Sequence, residues 1–260
     1  MIADSWSTTG KYHLSQGGIS QDYTKIQSIK NQLVAMISDG CSGANADTDI
    51  GARMMIQAFS SWFGKNEAVT SQFIEHLQFV TPNYDDYFAT LGALWQEQQS
   101  MKSIFWGDGC ILLQKKDLSI EVIQIEFDEN TPFYPIYLKN ENILKNMEQF
   151  QASIRYFHLQ KNKNLELFAE EKILPEKLIE GISFDFNIDD FNYIFVTTDG
   201  LFQMQNIEPS QFIFDIFQFK TSTENFLKRK MIHLQKQYSK NNISWLDDFS
   251  IAGFSLDNLS

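Results

Sequence analysis

Aspartate recurs at the ends of apolar, strand-like runs in this chain. Leu33-Val34-Ala35-Met36-Ile37-Ser38 stops on Asp39-Gly40, Ile104-Phe105-Trp106-Gly107 on Asp108-Gly109, and Tyr193-Ile194-Phe195-Val196-Thr197-Thr198 on Asp199-Gly200. Trp245-Leu246 leads into Asp247-Asp248 just before a run from Phe249, and Gln21-Asp22 precedes the segment Tyr23–Ile29. Several carboxylates on separate backbone segments are what Mg²⁺ or Mn²⁺ requires, because these hard cations take oxygen ligands. Singly, each has a plainer reading, since Asp-Gly between two apolar runs is the strongest short-range signal for a hairpin. That reading suits Asp108-Gly109, which lies between two strand-like runs, at least as well as chemistry does. It is weaker at Asp199-Gly200, because Leu201-Phe202-Gln203-Met204 does not alternate cleanly. At Asp39-Gly40 a small polar loop follows instead of a second strand, and then a helical pattern begins.

The elements that must carry these acids are many short strands and a few amphipathic helices. Strands are expected at 5–9, 23–28, 33–38, 89–96, 103–107, 111–115, 120–127, 154–158, 165–169, 193–198 and 249–254. Ile50, Met54, Met55, Ala58, Phe59, Trp62 and Phe63 predict a helix over 47–63, with Asp47 or Asp49 as N-cap. Further helices are expected at 67–80, at 209–219 with Pro209 in the first turn, and at about 222–238. For the last of these, Thr221 and Glu224 offer a capping box. Strands and helices do not alternate as βαβ units, which favours a layered antiparallel α+β arrangement over a doubly wound parallel sheet. The stretch 126–190 is the least legible, and its charge clusters read as solvated faces and caps.

A formal charge of −12 and a pI near 4.7 speak against nucleic acid or an anionic membrane as a partner, since both reward Lys and Arg. No apolar stretch approaches the roughly 20 residues that span a bilayer, and Met1-Ile2-Ala3-Asp4 does not open a secretory leader; a cytoplasmic protein is expected. Two cysteines, Cys41 and Cys110, make neither a disulfide framework nor a Cys-x-x-Cys zinc spacing.

The motifs also have an order. Gly10-Lys11-Tyr12-His13, Gly17-Gly18-Ile19-Ser20-Gln21-Asp22, the strand ending in Asp39-Gly40, and Asp49-Ile50-Gly51-Ala52 come first. Ala89-Thr90-Leu91, Trp106-Gly107-Asp108-Gly109, Val196-Thr197-Thr198-Asp199-Gly200 and Asp247-Asp248-Phe249-Ser250 follow. Each is weak alone, but the ordered set resembles the metal-dependent serine/threonine protein phosphatases of the 2C family, in its bacterial-type branch. The resemblance implies an α+β fold, a four-layer α-β-β-α sandwich of two antiparallel sheets flanked by helices, occupying residues 1–260 as one domain. It implies two divalent ions, manganese or magnesium, and a weaker third. By motif, Asp39 would bridge both metals, Asp199 and Asp247 would complete one, and Asp22 with the Gly40 carbonyl would serve the other. Asp108 would help hold the third, sharing Asp199. Asp247 is chosen over Asp248 because the family pattern is Asp, then Asn or Asp, then a hydrophobic residue, then Ser or Thr.

The implied reaction is hydrolysis of phosphoserine and phosphothreonine monoesters on a phosphorylated protein substrate, by a hydroxide held between the metals, in a monomeric enzyme. Simple chemistry agrees with it. Phosphate monoesters hydrolyse extremely slowly unaided, and two metals about 3.5–4 Å apart can activate water and clamp the attacking oxygen. Two divalent cations also cancel the formal charge of Asp22, Asp39, Asp199 and Asp247, so that only a metal-loaded pocket welcomes a phosphate dianion.

Some residues depart from the family pattern. Many members carry an arginine a few residues before the Gln/Glu-Asp motif to grip phosphate; here 13–21 contain none, and His13 stands in a comparable place. His13 is a candidate phosphate contact or general acid, with a strand residue whose ring is satisfied as its alternative. Cys41 follows Asp39-Gly40 where some members have histidine, and reads as a small buried loop residue. His76, His158 and His233 are assigned no role. A calcium loop at Asp47-Thr48-Asp49 fails because its glycine position holds Ala52 and its twelfth residue is Ala58. A haloacid-dehalogenase-type site fails because its Asp-x-Asp would have to end the strand. A non-catalytic relative acting as a metal-binding sensor or adaptor is the remaining alternative. The full set of acids speaks against it, because a decayed site readily loses carboxylates that repel one another.

Overall fold

Val34 and Met36 pack to one side of their strand and Ala35 and Ile37 to the other, and both sides are buried. Strands covered on both faces read as near-continuous apolar runs, and two apolar layers on each sheet dictate a stack of four. The computed structural model, which describes residues 1–41, 49–65, 71–160 and 164–256, has that stack.

In chain order the strands are β1 (Ile2–Thr8), β2 (Tyr23–Ile29), β3 (Gln32–Ser38), β4 (Leu91–Glu97), β5 (Ser100–Trp106), β6 (Gly109–Lys115) and β7 (Ile120–Phe127). They continue with β8 (Ala152–Leu159), β9 (Leu165–Lys172), β10 (Ile182–Asn187), β11 (Phe191–Thr197), β12 (Met204–Gln205), β13 (Ser244–Trp245) and β14 (Phe249–Ser255). One sheet runs β1-β14-β11-β6-β7-β8-β9 and the other β10-β5-β4-β3-β2, while β12 and β13 form a short ribbon; the pairings are antiparallel. Between the sheets lie Ala35, Ile37 and Phe105 facing Ile111, Ile194, Val196 and Phe254. The helices are α1 (Lys11–Ser15), α2 (Ile50–Phe63), α3 (Glu141–Lys145), α4 (Pro175–Glu180), α5 (Pro209–Ile216) and α6 (Phe226–Ser239). α2 covers the five-stranded sheet through Met55, Phe59 and Trp62, and α5 and α6 cover the seven-stranded sheet through Phe212, Ile216, Leu227 and Met231. Among the described residues no helix is long and apolar enough to cross a membrane.

Several expectations need correction. The hairpin reading of Asp108-Gly109 is wrong: β5 lies in one sheet and β6 in the other, so the chain crosses between sheets at this acid. The crossing needs glycines on both sides, Gly107 at φ +89° and Gly109 at φ +146°, where a side chain would also strike Thr90 or the Thr197 carbonyl. Of the helix expected at 67–80, residues 67–70 lie outside the described residues, and Ser71–His76 form a 3-10 turn. Apolar spacing over so short a window does not distinguish the two, and Phe73 is held by Phe59, Trp62 and Trp106 in either case. The capping box before α6 does not form. Asn225 precedes the helix in a left-handed conformation, and the Lys228 amide donates instead to Asp4 Oδ2 (2.9 Å), from the distant N-terminal strand. Asp49 precedes α2 without capping it, because its carboxylate accepts from Arg53 Nε (2.7 Å); Asp47 lies outside the described residues. β10, which the sequence reading left unassigned, closes one edge of the five-stranded sheet against β5.

Candidate metal centre

β3 ends at Ser38, and the backbone beyond it is held across to the segment before β4. The Asp39 amide donates to Thr90 Oγ1 (3.1 Å), the Thr90 amide to the Asp39 carbonyl (2.8 Å), and the Cys41 amide to the Phe88 carbonyl (2.8 Å). Asp39 and Gly40 are thereby fixed at the open end of the sheets. From the other sheet, β11 delivers Thr198 and Asp199. The Thr198 hydroxyl donates to Asp22 Oδ2 (2.8 Å) and accepts from the Ser250 amide (3.0 Å), while Gln203 Nε2 donates to Asp199 Oδ2 (2.9 Å). Gly200 follows because a Cβ there would lie 1.9 Å from the Asp248 carbonyl. The cross-sheet connection supplies Asp108, and the turn before β14 supplies Asp247.

Asp39, Gly40, Asp108, Asp199 and Asp247 line one cavity of about 220 Å³. Asp22 lies fully buried beside it, 3% exposed. The carboxyl of Asp39 is in hydrogen-bonding contact with both Asp22 and Asp199, contacts that carboxyls make only by sharing a proton. Burial first, and neighbouring aspartates second, disfavour the charged forms: Asp22 is pushed up to about 8 and Asp108 up to about 7. Asp39 and Asp199 are raised for the same reasons, Asp39 strongly. Asp22 Oδ1 is buried with no hydrogen-bond partner. Crowded carboxylates, an orphaned buried oxygen and an all-oxygen donor set fit divalent cations of the magnesium and manganese kind.

Asp248 behaves differently. Its Oδ1 accepts from the Gly10 amide (2.7 Å), and its Oδ2 from the Gln21 amide (2.5 Å) and from His13 Nδ1 (2.9 Å). His13, Asp247 and Asp248 each bring a potential ligand atom within 4.8 Å of the others, but three donors already occupy the Asp248 carboxylate. Only Asp247 of this trio also lines the cavity. His13 sits in α1 rather than in a strand, is 7% exposed, and is not among the cavity-lining residues. Asp248, Thr198 and Gln203 escaped the sequence reading as site-supporting residues. The Asp247-Asp248 doublet was a signal for the first; local pattern offered none for the other two.

Solved structures share the architecture. The serine/threonine phosphatase Stp1 from Staphylococcus aureus aligns with a TM-score of 0.58 at 13% identity, covering 99% of this chain and 96% of that one. The serine/threonine phosphatase PstP/Ppp of Mycobacterium tuberculosis aligns at 0.55 and 12% identity, covering 99% of each. The phosphatase domain of SpoIIE from Bacillus subtilis aligns at 0.53 and 12% identity, covering 97% of this chain and 63% of that one. No curated protein matches the sequence. The family model for protein phosphatase 2C matches residues 9–236, straight through the poorly legible stretch, and the chain belongs to that family.

Proposed function

We propose that this protein is a metal-dependent phosphatase of phosphoserine and phosphothreonine in proteins. One observation carries the reading: Asp39 contacts Asp22 on one side and Asp199 on the other, within a cavity that Asp108 and Asp247 also line. A residue so placed suits the bridging position between two metal sites. Asp199 and Asp247 would then complete one site, Asp22 and the Gly40 carbonyl the other, and Asp108 with Asp199 a weaker third. Bound divalent ions, manganese or magnesium, supply water activation and neutralise phosphate charge.

The chain's own groups do the positioning. Thr198 holds Asp22 by one oxygen and leaves the other free to ligate. Gln203 orients Asp199. Asp248 ties Gly10, His13 and Gln21 together, which fixes the backbone on which Asp22 rides. His13 remains a candidate phosphate contact through its other ring nitrogen, with Asp248 setting the ring orientation.

The test is hydrolysis of p-nitrophenyl phosphate and of a phosphothreonine peptide, with manganese, with magnesium, and with chelator. Metal-dependent turnover supports the enzyme. Metal binding seen by calorimetry, with no turnover on any phosphoester, would reassign the chain as a metal-binding sensor or adaptor.

A further inference from the structure

The cavity walls present an imbalance. Asp39, Asp108, Asp199 and Asp247 only accept hydrogen bonds when ionised, and among the described residues no Lys or Arg lines this cavity; Arg155 lines an adjoining one that shares Asp108 and Asp199, but its guanidinium is given to Glu126 and Glu170. A phosphate ester leaving through an alkoxide needs donors, and the amide of Gln203 is already given to Asp199. One strong neutral donor lies near the acids from the stretch 126–190, where the sequence showed no landmark: the phenol of Tyr134, which lines the cavity and is hydrogen-bonded only to the Cys41 thiol among the partners that hold it, a weak acceptor that a phosphate oxygen can displace.

Its ring is fixed in place by other aromatics. It stacks on Phe88 (centroids 5.5 Å, interplanar 11°), and Tyr137 meets it edge-on (5.5 Å, 70°). Tyr137 in turn packs against Phe133 and Phe150. Phe88 belongs to the same segment whose carbonyl holds the Cys41 amide, so the phenol and the Asp39-Gly40 loop share one scaffold. A donor held this way loses little freedom on use, which is the condition under which a hydrogen bond to developing charge contributes most to rate. Burial, contact with Cys41 and the nearby charges of Asp39 and Asp108 keep the phenol protonated.

Building on the phosphatase reading above, we propose that Tyr134 is a catalytic residue whose hydroxyl donates a hydrogen bond to the departing oxygen of the phosphoserine or phosphothreonine ester. As water adds to phosphorus and the ester P–O bond breaks, one water proton ends on the leaving alcohol and the other stays on hydrogen phosphate. The phenol keeps its own proton. Its contribution therefore grows with the charge that the leaving oxygen must carry, and is largest for alkyl esters.

The experiment compares wild type with Tyr134→Phe, both manganese-loaded, on p-nitrophenyl phosphate and on a phosphothreonine peptide. Manganese affinity and melting temperature are measured alongside. Phe preserves the stack and deletes one oxygen. The expected result is at least about a tenfold loss of kcat on the peptide and less than about threefold on p-nitrophenyl phosphate, whose leaving group carries its charge unaided. Equal losses on both esters, or none on the peptide, would overturn the assignment. A wild type inert toward both esters would remove the phosphatase reading itself, and Tyr134's role with it.

Discussion

Asp247 and Asp248 are neighbours in the chain, yet their carboxylates live under opposite rules. Asp248 is buried and satisfied, with three donors converging on two oxygens. Asp247 opens into the cavity, where it faces other acids. The same contrast separates the whole Asp248 latch from the Asp22, Asp39 and Asp199 cluster. In the latch, a buried charge is offset by donors, and it organises three backbone segments. In the cluster, carboxyls are buried against one another, one oxygen has no partner, and the protein's own donors are too few. Counting donors, rather than counting acids, separates a carboxylate that holds the fold from one suited to a cation.

The largest expected effect follows from removing the central member of the cluster. Asp39→Asn should lower manganese-dependent turnover by about a thousandfold, roughly 4 kcal/mol of transition-state stabilisation. In chelator the same variant should melt no lower than wild type, because it removes one titrating carboxyl from a crowded buried cluster and its amide can donate where the shared proton did. An Asp39→Asn protein that turns over normally, or that unfolds, would break the comparison from the cluster side.

Asp248→Ala should do the reverse. It strands the amides of Gly10 and Gln21 and the ring of His13, groups that are largely buried, and should cost about 3 kcal/mol in urea denaturation. The loss should appear with chelator as well as with metal. If instead the variant is stable and merely fails to bind manganese, Asp248 is a ligand and the donor count misleads.

A third test uses pH on the chelated protein. The folded-state values of about 8 for Asp22 and about 7 for Asp108 lie above the ordinary 3.8, so the folded metal-free chain keeps protons that the unfolded chain has shed. Its stability should therefore be greatest near pH 4 as far as these groups decide it, and decline as pH rises to about 8. The melting temperature should fall by a few degrees over that window, and manganese should flatten the slope. A metal-free protein that gains stability over the same range would contradict the crowded-carboxylate description.

The acids of the cluster are legible in the sequence, while the partners of Asp248 are not. Asp39 and Asp199 stood out because an apolar run that stops on a carboxylate leaves the acid at a strand mouth, and the ordered motifs carried Asp22, Asp108 and Asp247. The layered antiparallel fold followed from strands scattered between helices. What stayed hidden depends on partners far away in sequence. Nothing near Asp248 announces Gly10, His13 and Gln21, and nothing near Tyr134 announces the cavity. β9 was expected over 165–169 and runs on to Lys172, where the exposed side chains of an edge strand give no apolar signal for its end. β10 alternates cleanly as Ile-Ser-Phe-Asp-Phe-Asn and could have been found.

The smallest effect concerns a third buried carboxylate, intermediate between the two regimes. Asp4 is 8% exposed and accepts from the Ser5 amide (2.9 Å) and from the Lys228 amide (2.9 Å) in the first turn of α6. It does the work that Thr221 and Glu224 were expected to do, because Asn225 turns left-handed and carries the chain past the local capping geometry. By the donor count it belongs with Asp248, but its partners are fewer and lie near solvent. Asp4→Ala should then cost about 1 kcal/mol, the usual range for losing an N-terminal cap. It should leave manganese-dependent turnover unchanged, and restoring a local cap with Asn225→Ser should recover nothing while the left-handed conformation persists. A measurable loss of activity in Asp4→Ala at saturating metal would show that the N-terminal strand is coupled to the metal centre through more than the Gly10 turn. That result would blur the line between holding the fold and holding the cation.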